Sequence, residues 1–126
     1  MEGGGPARLE STYAAEYVAL ARETAVKDDA SGQAAWRMAA ARLLLGRGET
    51  GEAVRLARES ISSMASNQEL LTLPDLVLRQ AEVFQGAGLD EEGRRAFRKA
   101  VDLFERKGSL AEAQRARDRL ATIEAP

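Results

Sequence analysis

Apolar residues recur at spacings of three and four along most of the chain, the period of a helix with one buried stripe. Valine and isoleucine runs alternating with polar residues are missing, and Ala, Leu, Arg and Glu, all good helix formers, fill the segments. The pattern predicts six helices. The first covers about Leu9 to Val26, with Leu9, Tyr13, Tyr17, Leu20 and Thr24 on one stripe. The second runs from about Ser31 to Leu45 with Trp36, Ala40, Leu43 and Leu44 inward, and Gly46 and Gly48 stop it. The third begins after Thr50 as N-cap and carries Ala53, Leu56, Ala57, Ile61 and Met64, before a polar loop at 65–71.

The fourth helix opens at Thr72, with Asp75 at capping-box spacing and Pro74 in the first turn, where its missing N–H is harmless. It buries Leu76, Val77, Ala81 and Phe84. Asp90 caps the fifth, whose stripe is Ala96, Phe97, Ala100, Val101 and Phe104; Gly108 ends it. Ser109 and Glu112 form a second capping box, opening a sixth helix with Leu110, Ala113, Ala116, Leu120 and Ile123. Short turns between helices imply antiparallel neighbours.

Laying Gly48 on Gly88, a shift of 40 residues, sets Trp36 on Leu76, Ala41 on Ala81, Leu44 on Phe84, Ala57 on Phe97 and Ser60 on Ala100. Small residues fall on small and large on large. A second match, at a shift of 36, sets Ala21-Arg22-Glu23-Thr24 on Ala57-Arg58-Glu59-Ser60. The chain therefore reads as stacked helix pairs, each completing the apolar face of the next. Its 126 residues suit one unit, read as a flexible leader over 1–8 and a single helical-repeat domain over 9–126.

Composition narrows the chemistry. With no cysteine and no histidine, there is no disulfide, thiolate nucleophile, imidazole base or Cys/His zinc site, and neither an enzyme nor a cofactor is expected. The net charge of −2 argues against nucleic acid as partner. The N-terminus lacks the basic and apolar regions of a secretory signal, and no apolar run approaches the roughly 20 residues of a bilayer span, so no membrane association and a cytoplasmic location are expected.

The run from Trp36 to Met64, with Trp36, Ala40-Ala41, Leu44, Gly48, Ala53 and Ala57, resembles a degenerate tetratricopeptide repeat, and Val77 to Phe104 resembles a second. The period exceeds that family's usual ~34 residues, and Gly93 stands where its second helix carries alanine. The phrases from Asp28 to Arg37 and from Leu103 to Ser109 are similar to the last repeats of large bacterial regulators that carry an ATPase or nucleotide-cyclase module upstream. The resemblance implies an all-α, right-handed α-solenoid of about six antiparallel helices. In its register, Leu9 to Val26 is the second helix of a repeat and Leu110 to Ile123 is a closing helix.

The resemblance also implies a concave groove lined by the first helix of each pair. Carried over, this places Ala35, Met38 and Arg42 beside Asp75, Arg79 and Glu82, with Arg115 and Asp118 from the closing helix. The lining lacks the Lys/Asn set that clamps a C-terminal carboxylate in chaperone-binding members. A protein or peptide segment of mixed charge, with an apolar anchor near Met38, is the expected partner; a plain structural face is the other reading. The function expected is a noncatalytic interaction or scaffold module, a regulatory segment of a bacterial signalling or transcription-regulator system. The alternative is a self-associating structural domain, a homodimer formed through the first helix at Ala14, Tyr17 and Val18.

Other motifs have plainer readings. Gly46 to Gly51 matches G-x-G-x-x-G, but a helix precedes it and Glu49 repels phosphate, so it reads as a helix-to-helix turn. Arg94, Arg95, Arg98 and Lys99 share one side of the fifth helix; the choice lies between an anion site and a solvated face stitched by pairs such as Glu91–Arg95 and Asp102–Arg106, and the solvated face is preferred. Carboxylate pairs at Asp28-Asp29, Glu49/Glu52 and Glu91-Glu92 sit at helix starts, where the macrodipole favours them. Trp36 is assigned to the core.

Overall fold

The computed structural model describes residues 15, 16, 18–20, 22, 23, 30–64 and 72–124, and the regular elements among them are all helical. Five helices are delimited: α1 (Ala30–Gly46), α2 (Thr50–Ser62), α3 (Leu73–Gly86), α4 (Asp90–Lys107) and α5 (Leu110–Glu124). Residues 15, 16, 18–20, 22 and 23 are helical as well. Leu9, Tyr13, Ala14, Tyr17 and Thr24, the leader and the loop at 65–71 lie outside the described residues.

Three turns share one hydrogen-bond pattern. Gly48, Gly88 and Gly108 adopt φ of 83°, 81° and 84°, the left-handed region where a Cβ is penalised. The next residue sends its N–H back five positions: Glu49 to the Leu44 carbonyl, Leu89 to Phe84 and Ser109 to Phe104, each at 2.9 Å. This Schellman closure satisfies carbonyls that the ending helix leaves unpaired. The carbonyls of Glu49, Leu89 and Ser109 then accept from Ala53, Gly93 and Ala113, starting the next helix. One residue thus closes one helix and opens another. The N-caps of α2 and α4 are accordingly Glu49 and Leu89, one position before the predicted Thr50 and Asp90, and backbone rather than side chain does the capping. Asp90, Glu91 and Glu92 occupy the first turn of α4, where negative charge meets unpaired N–H groups.

Helices consecutive in sequence pack against one another, and α1 also contacts α3. The larger core joins Ala34, Met38 and Ala41 of α1, Ala53, Leu56 and Ala57 of α2, Leu76, Ala81 and Phe84 of α3, and Ala96 and Phe97 of α4. A second cluster, Val77, Ala100, Leu103, Phe104, Ala113 and Ala116, binds α3, α4 and α5. Of the residues related by the 40-residue shift, Ala41 and Ala81, Ala57 and Phe97, and Met64 and Phe104 share burial, whereas Trp36 and Leu44 are half-buried where Leu76 and Phe84 are buried. Where α2 has Ser60, fully buried with its hydroxyl donating to the Ala34 carbonyl at 2.7 Å, α4 has Ala100. Gly93 is buried where α2 has Ala53, and a Cβ there would meet Ile123 Cδ1 of α5 at 3.1 Å. The missing methyl leaves room for the tip of the Ile123 side chain.

Three stripe assignments change. Leu20 and Leu110 are 59% and 70% exposed rather than inward. Leu110 is the first residue of α5, and a helical side chain leans toward the N-terminus, here past the end of the packed surface. Trp36 is half-buried at the edge of the larger core. Its indole N–H donates to Gln33 Oε1 at 2.9 Å, and the guanidiniums of Arg37 and Arg22 lie 4.9 and 5.6 Å from its ring centroid.

Candidate binding groove

The contact of α1 with α3 leaves a groove of about 440 Å³ between them, lined by Ala35, Met38, Ala39 and Arg42 on one side and Thr72, Asp75, Leu76 and Arg79 on the other. The i, i+3/i+4 spacing of Ala35, Met38, Ala39 and Arg42 makes one ridge of α1; that of Asp75, Leu76 and Arg79 makes the facing ridge of α3. Met38 and Leu76, 3% and 7% exposed, form the floor. Arg42 and Asp75 are exposed on opposite rims, and neither makes an ion pair with any described residue. Two cations and one carboxylate thus face a narrow apolar floor, an arrangement suited to a segment of mixed charge.

Five of the residues expected in a groove, Ala35, Met38, Arg42, Asp75 and Arg79, come together here. Glu82 stands one turn beyond Arg79, whose Nη1 lies 3.6 Å from Glu82 Oε1. Arg115 and Asp118 are not in the lining: Arg115 pairs with Glu112 at 3.5 Å, and Asp118 accepts from Gln114 Nε2 at 3.0 Å. The closing helix instead sends Arg119, whose Nη1 donates to Glu82 Oε2 at 2.7 Å and Nη2 to Gln85 Oε1 at 3.0 Å. Arg119 follows Ala116 by three positions, on the same stripe as that buried alanine, and this spacing is the signal that finds it. Its guanidinium also lies 5.4 Å from the Phe97 ring centroid, joining α5 to α3 and α4. Of the other proposed face, Val18 is half-buried and packs on the larger core, while Ala14 and Tyr17 lie outside the described residues.

The remaining electrostatics belong to helix surfaces. Hydrogen bonding to Arg55 holds the Glu52 carboxyl below its ordinary value and raises the Arg55 guanidinium, which also binds Glu59. Hydrogen bonding between Arg94 and Glu91, at 2.8 Å, lowers the Glu91 carboxyl and raises Arg94. Glu91 thus takes Arg94 rather than the expected Arg95, whereas Asp102–Arg106 forms at 3.0 Å. At Gly46 to Gly51 the N–H groups of Arg47, Gly48 and Glu49 are all donated to carbonyls of α1, so these three are not turned toward a phosphate. Among the described residues no group of three acidic side chains could hold a metal ion, and no helix is long and apolar enough to cross a membrane. No protein-family model matches the chain, nor does any curated protein or any solved structure.

Proposed function

We propose that the chain is a noncatalytic protein-interaction module built as a tetratricopeptide-like α-solenoid of antiparallel helix pairs, serving as a regulatory segment in a cytoplasmic bacterial signalling system. The observation that carries this reading is the groove between α1 and α3, the first helices of two pairs related by the 40-residue shift. Its unpaired Arg42 and Asp75 stand over the Met38–Leu76 floor, and a docked segment of mixed charge would meet both while covering apolar surface. The three alike turns support the repeat; the resemblance of Trp36 to Met64 and of Val77 to Phe104 supports its class.

Peptide display against the whole chain tests the groove. Enriched peptides should carry opposite charges around an apolar residue, and Arg42→Glu combined with Asp75→Arg should abolish their binding while circular dichroism stays unchanged. Peptides that bind the double variant as well as the parent would refute the site. Sedimentation across a wide concentration range addresses self-association: a monomeric mass is expected, and a dimer would put a second copy in place of the peptide.

A further inference from the structure

We infer that the flank between α3 and α4 is a second docking surface, which takes an acidic helical segment of a partner protein anchored by an aliphatic side chain. A hollow of about 240 Å³ lies there, lined by Gln80 and Phe84 of α3 and by Glu92, Arg95, Ala96 and Lys99 of α4. It is smaller than the ~300 Å³ and upward of small-molecule sites, which suits a side chain rather than a cofactor. Phe84 and Ala96, 5% and 7% exposed, make an apolar floor.

The cations set this flank apart. On α4, Arg94 pairs with Glu91, Arg98 with Glu124 at 2.6 Å, and Arg106 with Asp102. Arg95 and Lys99 are exposed, yet neither makes a hydrogen bond or ion pair with any described residue. The carboxylate in the hollow does not neutralise them, because Glu92 is held by Arg58 of α2 at 2.5 Å. Arg58 also lies 5.5 Å from the Phe84 ring centroid, so three helices hold this wall in place. Two like charges one turn apart repel mildly, and opposed carboxylates relieve that repulsion.

Charge and spacing specify the occupant. Arg95 and Lys99 are separated by about 6 Å of helix rise, which matches two glutamates at i and i+4 on a partner helix, with a leucine between them directed at Phe84 and Ala96. Nucleic acid fits poorly, because the Phe84 ring is buried beneath Arg58 and offers no face for a base to stack on.

Fluorescence anisotropy with the full chain and a labelled helical peptide bearing two glutamates one turn apart around a leucine tests this. Saturable binding is expected, weakened at least about tenfold by Arg95→Glu with Lys99→Glu and weakened by rising salt. Arg42→Glu should leave it unaltered, which separates this surface from the α1–α3 groove, so either site can fail alone. Both replaced side chains are exposed, and circular dichroism verifies the fold; Arg95→Gln with Lys99→Gln should give a smaller loss. Absence of saturable binding, equal binding by the double variant, equal binding of a leucine-free polyglutamate, or tighter binding of single-stranded DNA at the same salt would each overturn the proposal.

Discussion

Gly88→Ala and Gly51→Ala add the same methyl group to open space, since a Cβ at either position meets nothing within 4 Å. They should nevertheless act in opposite directions. Gly88 sits at φ 81°, where an L side chain costs about 1–2 kcal/mol against the following carbonyl. The reduced freedom of the unfolded chain offsets about 0.4–1 kcal/mol of this, leaving a net loss of about 1 kcal/mol. Gly51 lies in the first turn of α2, without positive φ, and alanine there gains about 0.5–1 kcal/mol from helix propensity. The two variants should therefore differ by about 1.5–2 kcal/mol in urea unfolding followed by circular dichroism, with unchanged slope. Gly48→Ala and Gly108→Ala should each match Gly88→Ala to within about 0.5 kcal/mol, because the turns share dihedral and hydrogen-bond pattern, and the three should add. The triple variant would lose about 3 kcal/mol, a sizeable part of the roughly 6–19 kcal/mol expected of a chain this long. A Gly88→Ala protein as stable as the parent, or a Gly51→Ala protein equally destabilised, would refute the assignment of the turns.

Three further outcomes can be checked in the same way. Phe97→Ala should cost about 3–5 kcal/mol in urea unfolding, because the ring is wholly buried, whereas half-buried Trp36→Ala should cost about 1–2 kcal/mol; equal losses would contradict the burial described. Gly93→Ala should change stability by less than about 1 kcal/mol, since helix propensity offsets a small shift of Ile123. Gly93→Leu should cost about 2–3 kcal/mol, because Gln85 N and Ala81 O stand 3.5 and 3.7 Å from the Cβ position, and should lower the m-value if α5 is displaced, since less surface is then left to expose on unfolding. Glu52 and Glu91 have lowered carboxyl pKa values, so their contribution is complete above the ordinary value of 4.5 and is lost as pH falls through the depressed folded values. An acid titration of helicity should show this loss below about pH 4.5, reduced in a Glu52→Gln/Glu91→Gln variant; an unreduced loss would place the pH sensitivity elsewhere.

The amino-acid pattern by itself determined that the described residues form helices, where those helices begin and end to within a residue or two, and that α3 and α4 are spaced as α1 and α2 are. These are local consequences: a period of three to four selects the helix, and a glycine able to hold positive φ marks each of the turns at Gly48, Gly88 and Gly108. The shift by one at Thr50 and Asp90 arose because side-chain preference points to the cap while a backbone closure from the preceding helix had already made it. Tertiary structure alone decided which side of an apolar stripe is covered. Leu110 and Ala113 read alike along the chain, yet one is exposed and the other wholly buried, since burial depends on where the neighbouring helix ends. It also decided the partners of the charges. Sequence spacing offers Arg94, Arg106 and Arg115 a carboxylate one turn away but offers Arg42, Arg58 and Arg119 none, and distances between helices are what gave Arg119 to Glu82, Arg58 to Glu92, and no partner among the described residues to Arg42, Arg95 or Lys99. Met38, Arg42, Asp75 and Arg79 were legible because they keep one face of two helices, whereas Arg115 and Asp118 fell away because α5 turns Arg119 toward α3 instead.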